Sequence, residues 1–289
     1  MKAADFTYAR PDSVGEAVAL LAAHPGEARV LAGGQSLLPM MNLRLARPRL
    51  LVDINRIEAL QGITLTAAGL HIGALVRHGE AASHPLVARA APLLVQALAH
   101  VGHAVVRNRG TLCGSLAHAD PAAELPACAL VLRAVMHIEG PAGTRDVPAA
   151  AFFRGLFATS CAEDEILTGF TIPPRGPDEI HGFDEFSRRR GDFAMVGIAA
   201  SARRENSTIR AFRLVLFGTE PLPQLCDAAS SAAEARAWSS ASAPPIATAA
   251  ANALAMDNVP AEDARARRMQ ATVLARRVLA RMFTDETGR

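Results

Sequence analysis

A chain of 289 residues, of which 50% are hydrophobic, can build one large or two smaller packed domains, which excludes wholesale disorder. Its 30 Lys and Arg residues nearly balance 28 Asp and Glu residues, so the one-sided basic surface that nucleic-acid binding requires is excluded as well. With one Trp, one Tyr and 11 Phe, the chain offers few aromatic side chains on which a bound ring could stack.

The four cysteines are far apart and show no paired spacing: Cys113, Cys128, Cys161 and Cys226. Iron–sulfur and structural zinc sites usually draw on clustered cysteines, so neither is predicted in this chain. The N-terminus lacks the apolar core of a signal peptide, and no uncharged apolar stretch reaches the roughly 18 residues of a spanning helix. We therefore expect no transmembrane segment and a cytoplasmic location, where the cysteines would stay reduced.

The first predicted element is a helix. Ser13 and Glu16 have the spacing of a capping box, and Val14, Val18 and Leu21 follow at helical intervals. The next elements, predicted from apolar runs and turn residues, are a strand over 28–32 ending at Gly33 and Gly34, a strand over 50–54 and a hairpin over 63–75.

A longer helix is predicted over 86–100, kinked at Pro92, with His100 and His103 as ordinary polar residues at its end. Residues 101–126 show little periodicity and are predicted to form a functional loop. Strands are then predicted over 135–138 and 166–172, before a Pro-rich linker at 173–177. Beyond it we predict antiparallel strands over 183–187, 195–200 and 209–217, and a helical tail with an apolar stripe made of Met269, Val273, Leu274, Val278 and Met282.

These elements indicate an α+β protein of two domains. The N-terminal domain is predicted to cover residues 1–174 in two lobes, about 1–57 and 58–174. A smaller domain of an antiparallel sheet and helices is predicted over 178–289.

A candidate binding segment follows the first predicted strand. Gly33 and Gly34 allow the backbone to approach a ligand closely, and successive amides in such a turn form a nest for an anion such as a pyrophosphate. Gln35 and Ser36 can add side-chain hydrogen bonds. Taken alone, such a segment is more often a plain structural turn, and it matches neither of the two best-known nucleotide loops.

A second candidate segment follows the predicted 86–100 helix. Thr111 and Ser115 can bind phosphate or ribityl oxygens, and Glu124 can accept hydrogen bonds from sugar hydroxyls or an adenine amine. A metal site built from His118, Asp120 and Glu124 is an alternative, but that spacing matches no recognised metal motif.

Taken together, these segments resemble the FAD-binding subunits of the molybdenum hydroxylases, the carbon monoxide and xanthine dehydrogenase family. AGGQSLLP at 32–39, followed by LLVDI at 50–54, resembles the first flavin motif of that family. TLCGSLAHADPAAE at 111–124 resembles the second, T-[IL]-G-G-[NS]-[IL]-A, and RRGDFA at 189–194 resembles its R-x-G-D-[FY]-A signature. The motifs occur in the family's order along essentially the whole chain.

The resemblance implies FAD as the cofactor and a two-lobed FAD-binding domain of the vanillyl-alcohol oxidase or PCMH type. Its implied FAD-binding residues are Ala32, Gly33, Gly34, Gln35, Ser36, Leu37 and Leu38 along the pyrophosphate and ribityl chain, then Thr111, Gly114, Ser115, Ala117 and His118 on the other side, with Glu124 at a polar part of the cofactor. It further implies Val101 and Val106 in the flavin cleft, Leu167 near the adenosine or the ring, and Phe183 over the isoalloxazine with Asp184 beside it. For Leu167 and Phe183, simple core packing is the alternative.

One residue departs from the family pattern. Cys113 stands where the second motif usually has glycine. No other cysteine is near it in sequence to resolve an oxidised thiol, so we expect a packing role for Cys113 and no part in redox chemistry.

The implied function is electron transfer within a larger enzyme. In related enzymes a molybdopterin-binding large subunit hydroxylates the substrate, a small subunit with [2Fe–2S] clusters passes on the electrons, and the FAD subunit receives them. The resemblance thus implies both partners, assembled as a dimer of heterotrimers, and no catalytic side chain on this chain. A stand-alone flavoprotein oxidase or reductase and a non-catalytic nucleotide-binding module are the alternatives, and the run of arginines at 188–190 is predicted to be a solvated face or a subunit contact.

Overall fold

The computed structural model describes residues 2–256 and 259–284. The first lobe contains a three-stranded parallel sheet in the order β1-β3-β2, flanked by two helices. All four residues of the central strand β3 are buried, which explains its uninterrupted apolar sequence. The elements of this lobe are β1 (Thr7–Ala9), α1 (Val14–Ala23), β2 (Ala28–Leu31), α2 (Leu37–Asn42) and β3 (Leu50–Asp53).

The cap of α1 differs from the predicted capping box. The Ser13 hydroxyl accepts a hydrogen bond from the Glu16 amide at 3.2 Å, as predicted. The Glu16 carboxylate, however, accepts from the amide of Asp12, one residue before the cap. The reciprocal half of the box is therefore displaced by one residue, and the helix start keeps its hydroxyl cap.

The second lobe is an antiparallel five-stranded sheet in the order β4-β5-β10-β6-β7, with short helices packed on it. The strand predicted over 166–172 is its central strand. The strands are β4 (Ile63–Thr66), β5 (Gly69–Gly73), β6 (Val135–Gly140), β7 (Gly143–Pro148) and β10 (Ile166–Ile172), with a small hairpin of β8 (Phe153–Gly155) and β9 (Ala158–Thr159). The helices are α3 (His78–Ser83), α4 (Pro85–Ala90), α5 (Pro92–Leu98), α6 (Ala104–Arg109), α7 (Leu112–His118), α8 (Glu124–Val131) and α9 (Ala149–Phe152).

Two predictions for this lobe are wrong. The helix expected over 86–100 is two helices, because Ala91, which precedes Pro92, leaves the helical region at φ −141° and ψ 60°. The loop expected over 101–126 contains α6, α7 and the start of α8. These helices have only six to eight residues and contain glycines and polar residues, so a helical periodicity of apolar residues is not detectable in their sequence.

The C-terminal domain is an antiparallel sheet covered by helices on one face. Its strands run in the order β11-β12-β13-β14, and the three strands predicted from the sequence are all present and longer than predicted. The elements are β11 (Glu179–Phe186), β12 (Val196–Glu205), β13 (Thr208–Phe217), β14 (Gln224–Leu225), α10 (Asp227–Ala233), α11 (Ala243–Asn252) and α12 (Ala261–Met282). No helix in the described ranges is long and apolar enough to cross a membrane.

The apolar stripe predicted for the last helix is only partly correct. Leu274, Val278 and Met282 are buried, whereas Met269 and Val273 are 65% and 58% exposed. At about 100° per residue, these two lie on the opposite side of α12. The buried face is completed by alanines and by Leu279, which lie close to the sheet and to α11.

The two faces of the C-terminal sheet belong to different cores. Side chains that alternate along β12 and β13 face the sheet's own helices on one side, as Ile198 and Leu216 do. On the other side Ala199, Phe217 and Phe183 join the core of the N-terminal domain. The sheet therefore packs directly against the N-terminal domain: β11 lies against α5, and β12 and β13 lie against α8.

Candidate cofactor-binding site

The two glycine-containing segments that were predicted separately lie against each other. A Cβ built on Gly33 would collide with the carbonyl oxygen of Arg109 and would lie 2.7 Å from the Cα of Gly110. Only glycine permits this approach of two backbones. The fold thus brings together the loop after β2 and the turn before α7, which are separated by more than seventy residues in sequence.

The first loop presents unpaired amides. Among the described residues, no backbone N–H from Gly33 to Ser36 donates to a protein acceptor. Gly34 has φ +70°, and a Cβ there would lie 2.9 Å from Leu38, so the turn requires glycine. The Gln35 side chain donates to the Gly33 carbonyl at 3.2 Å, and the Ser36 hydroxyl caps no helix. Consecutive free amides in a turn are the usual nest for an anion.

A polar network that the sequence analysis missed holds this loop in place. The Asn55 amide donates to the Ala32 carbonyl at 2.9 Å, just before the glycines. Arg77 donates to the Asn55 side-chain oxygen at 2.5 Å and also to the Arg109 carbonyl, so its guanidinium bridges the two loops. Asn55 lies two residues after the end of the buried strand β3. Polar residues in the loop after a strand often serve a site, and this signal could have identified it.

Asp53 and Tyr8 extend this hydrogen-bond network. The Asn55 amide also donates to Asp53 at 2.6 Å, and the Tyr8 hydroxyl donates to the other carboxylate oxygen. Burial alone would raise the pKa of Asp53, but the hydrogen bonds donated by Tyr8 and Asn55 outweigh it and lower that pKa. The Asp53 carboxylate, whose pKa is lowered, thereby orients Asn55 toward the loop.

The second loop is set by caps at both ends of α7. The Thr111 hydroxyl, in a residue that is 2% exposed, accepts a hydrogen bond from the Gly114 amide at 3.0 Å, and its O–H can still donate to another acceptor. His78 lies beneath it, with Nε2 at 2.9 Å from the Thr111 carbonyl. Burial lowers the pKa of His78 to about 4, so the ring is neutral and Nε2–H donates. Ala119 ends the helix in the left-handed region at φ 51°.

The remaining predicted residues of this segment differ in exposure. Ser115 and His118 are half-buried and Ala117 is exposed. The His118 ring lies 5.0 Å from that of Phe157, and burial lowers its pKa. Glu124, at the start of α8, is only 6% exposed, and burial raises its pKa to about 8 with a further contribution from the nearby Glu185.

The two predicted cleft valines flank the turn that leads into α6. Val101 is 8% exposed and Val106 is half-buried. Between them Gly102 adopts φ +46°, and a Cβ there would lie 3.1 Å from Val106. Arg107 donates to the carbonyl oxygens of Val101 and Gly102, each at 2.9 Å, which fixes the turn.

Three predicted residues lie in packed or ion-paired surroundings. Leu167 and Phe183 are each 6% exposed and belong to the core of the N-terminal domain. Phe183 lies 5.3 Å from the His100 ring and 5.7 Å from that of Phe217. Asp184 points to the other face of β11 and pairs with α12 through Arg277 at 2.7 Å and Arg281 at 2.9 Å. A role of Leu167, Phe183 and Asp184 in binding FAD stays a prediction.

Cys113 and the other cysteines offer no ligand cluster. Cys113 is 3% exposed in the core, and burial raises its pKa far above the usual thiol range. Cys128 is buried as well, and all four cysteines are free. In residues 2–256 and 259–284, no group of three or more His, Cys, Asp or Glu side chains could hold a metal ion.

These features match the chemistry of a dinucleotide flavin. Free amides from Gly33 to Ser36 suit a pyrophosphate, and the glycine contacts leave room for its close approach. The Ser36 and Ser115 hydroxyls suit ribityl or phosphate oxygens, and the buried Glu124 supplies a polar group in an apolar wall.

Comparisons with known proteins show the family of this chain. Residues 4–175 match the family described as the FAD binding domain in molybdopterin dehydrogenase. Residues 181–282 match the family described as the CO dehydrogenase flavoprotein C-terminal domain. The chain is 39% identical over 216 residues to the carbon monoxide dehydrogenase medium chain of Hydrogenophaga pseudoflava, which covers 75% of each protein.

Solved structures extend the similarity to nearly the full length. A chain of carbon monoxide dehydrogenase from Hydrogenophaga pseudoflava, in a form lacking the Mo-pyranopterin moiety of the molybdenum cofactor, superposes with a TM-score of 0.93 at 34% identity, covering 98% of this chain and 99% of that one. Quinoline 2-oxidoreductase from Pseudomonas putida 86 superposes with a TM-score of 0.92 at 36% identity, covering 98% of both chains. The chain therefore belongs to the FAD-binding medium subunits of the molybdenum hydroxylases, an oxidoreductase family, and its cofactor is FAD.

Proposed function

We propose that this chain receives electrons on FAD from the [2Fe–2S] clusters of a small partner subunit and releases them to an external acceptor. The observation that supports this most directly is the backbone cradle formed where the Gly33 loop meets Gly110. The cysteines of this chain are dispersed and buried or half-buried, so the clusters would be carried by the partner.

The residues around the cradle would bind and orient the cofactor. The amides from Gly33 to Ser36 would hold the pyrophosphate, while Asn55 and Arg77 keep the two loops in contact. Ser115 would hydrogen-bond to the ribityl chain or a phosphate. Bound FAD supplies the redox chemistry, because a flavin can exchange electrons one at a time or in pairs. No side chain of this subunit needs to react.

The substrate would be bound by a molybdopterin-binding large subunit, in a dimer of heterotrimers. The names of two similar proteins, carbon monoxide dehydrogenase and quinoline 2-oxidoreductase, refer to very different substrates although their chains share this fold. This supports a substrate site outside the FAD subunit. We further propose a domain division at residues 174–178 and a cytoplasmic location for the assembly.

The first experiment is an absorbance and fluorescence titration of the purified chain with FAD. We expect one FAD per chain, and loss of binding in Gly33→Val because the new side chain meets Arg109 and Gly110. Gly15→Ala is the matched control, since a Cβ at Gly15 meets nothing within 4 Å. Failure to bind FAD, both alone and with the partner subunits present, would contradict the proposal.

The second experiment tests the partners. A tagged chain is purified with its associated proteins, and flavin bleaching is followed anaerobically after addition of the substrate. We expect molybdenum, iron and a bleached flavin only when both partner subunits are present. Bleaching of the isolated chain by a small substrate would instead favour a stand-alone flavoprotein.

A further inference from the structure

Two buried carboxyl groups and one imidazole meet where the two domains pack together. Glu124 begins α8 of the FAD domain, His100 follows α5, and Glu185 comes from β11 of the C-terminal domain. Along β11, Glu185 points to the same side as Phe183, toward the FAD domain, whereas Asp184 points to α12. The three groups therefore come from three elements and both domains.

The two carboxyl groups of this cluster are buried, whereas the His100 side chain is 35% exposed. The Glu185 side chain is 2% exposed and Glu124 is 6% exposed. One Glu185 oxygen lies 3.6 Å from His100 Nδ1, and its second oxygen is buried without a hydrogen-bond partner in the described structure. The Glu124 carboxyl accepts a hydrogen bond from its own backbone amide and, within the described residues, has no cationic side chain paired with it.

Other titratable groups around the cluster do not compensate this charge. Asp120, in the turn before α8, adds negative potential at Glu124, and Asp184 does so at His100. Arg213 is occupied at the far end of α8, where it donates to the carbonyl oxygens of Leu130 and Val131. The remaining neighbours on packed elements are His118 at the end of α7 and Cys128 one turn along α8.

Two buried carboxylates facing one imidazolium leave an uncompensated negative charge, which is costly in a low-dielectric interior. The least costly arrangement pairs His100 with Glu185, which lies 3.6 Å from its Nδ1, and keeps the other carboxyl neutral. We propose that Glu124, Glu185 and His100 form an interdomain proton-holding site, which keeps Glu124 protonated at neutral pH so that it donates a hydrogen bond to FAD.

The direction of each shift agrees with this arrangement. Burial raises the pKa of Glu124 to about 8, Glu185 raises it further, and His100 opposes the rise. The interaction with Glu185 raises the pKa of His100 against the effect of burial. The inference that Glu124 donates its proton to FAD rests on the proposed function. The inference that Glu124 is protonated does not depend on it.

The protonation is tested on the FAD-free full-length chain by infrared spectroscopy of the carboxyl stretch, with deuterium exchange. We expect a buried protonated carboxyl at pH 7 that is lost in Glu124→Gln. Glu185→Gln should shift its titration midpoint downward by removing a like charge, and His100→Gln should shift it upward. Glu163→Gln, at an exposed carboxylate, is the matched control and should change nothing.

The absence of such a band in folded wild-type protein at pH 7, or its persistence in Glu124→Gln, would overturn the proposal. Circular dichroism checks that each variant is folded. A Glu185→Gln variant that leaves the midpoint of Glu124 unchanged would equally contradict the shared site.

The hydrogen bond from Glu124 to FAD is tested by measuring FAD affinity as a function of pH. We expect the dissociation constant to rise about tenfold between about pH 6 and about pH 9 as the donor is lost, and to be nearly flat in Glu124→Gln, whose amide remains a donor. If the wild-type protein binds FAD with an affinity that is equally independent of pH, the hydrogen bond from Glu124 to FAD is overturned and the protonation of Glu124 is not. A titrating carboxyl in a chain that binds no FAD, both alone and with the partner subunits present, would keep the proton-holding site and contradict the proposed function.

Discussion

At the scale of single residues, the most informative position is Cys113, where the family pattern has glycine. Its side chain is 3% exposed and packs in the core with Leu112 and Leu116, so the extra sulfur fills space between α7 and the sheet. A thiol whose pKa is raised by full burial has little thiolate character and little reactivity.

We expect Cys113→Ala to lower the free energy of unfolding by about 1 kcal/mol, from lost burial of one heavy atom, and to leave flavin reduction unchanged. Denaturant titration and anaerobic reduction measure the two effects. Cys128→Ala, at another buried cysteine of a helix in the same core, is the control. Loss of flavin reduction with FAD still bound would give Cys113 a redox role.

The Asn55 network leads to a second prediction at this scale. Asn55→Ala removes the donor to the Ala32 carbonyl and the acceptor for Arg77, so the first loop loses its fixed position. We expect FAD affinity to fall about tenfold, equivalent to about 1.4 kcal/mol. Fluorescence titration measures this, with the exposed Asn252→Ala as control. Equal affinities of the two variants would show that the network does not position the loop.

The buried Glu124 predicts a pH dependence of stability. Its pKa is about 8 in the folded chain against 4.5 when unperturbed, so between these values the folded state holds a proton that the unfolded state has released. The stabilisation from this proton is fully present below about pH 4.5 and is lost as pH rises to about 8. Over that range the free energy of unfolding falls by at most about 1.4 kcal/mol per pH unit.

Urea denaturation of FAD-free wild type and Glu124→Gln between about pH 5 and about pH 9 measures this effect, because other titrating groups cancel in the difference. We expect the wild type to lose stability relative to the variant as pH rises. Parallel curves across this range would contradict the raised pKa.

At the scale of secondary-structure elements, the second loop depends on the cap of α7. Thr111→Val removes the acceptor for the Gly114 amide and should cost about 1 kcal/mol of stability together with part of the FAD affinity. Thr111→Ser keeps the hydroxyl and should behave like the wild type. Thermal unfolding and FAD titration measure both, and a Val variant as stable as the Ser variant would disprove the role of the cap.

The elements also show how far local sequence patterns reach. The strands over 50–53 and 166–172 were predicted correctly because full burial gives uninterrupted apolar runs. The helices between residues 104 and 118 were missed because they are held by caps and tertiary contacts, with no apolar stripe of their own. The break at Ala91 is the local effect of Pro92, whereas the sequence pattern predicts only a kink in a continuous helix.

At the scale of the whole molecule, Arg213 joins the two domains. From β13 it donates to the Leu130 and Val131 carbonyls at 2.8 and 3.1 Å. The Leu130 carbonyl also accepts from the backbone amide of Arg133 at 3.2 Å, so it is the Val131 carbonyl at the end of α8 that depends on Arg213. Phe183 and Phe217 add apolar contacts of the second domain to the core of the first. The domains are therefore expected to unfold together.

We expect calorimetry to show a single transition, and Arg213→Met to lower the free energy of unfolding by about 1.5 kcal/mol by leaving the buried Val131 carbonyl unpaired. Arg210→Met, which removes an exposed ion pair with Glu234, should cost less than about 1 kcal/mol. Two separate transitions in the wild type would show that the contacts between domains are weak.

The sequence by itself determined the family, the cofactor and the α+β organisation, because the glycine and hydroxyl motifs are local and ordered along the chain. Only the tertiary structure decided that Gly33 contacts Gly110, that Asn55 and Arg77 join the loops, and that Glu124 meets Glu185 and His100. Such contacts join residues tens of positions apart, and burial, which sets their charge states, is a property of the packed molecule that no local pattern records.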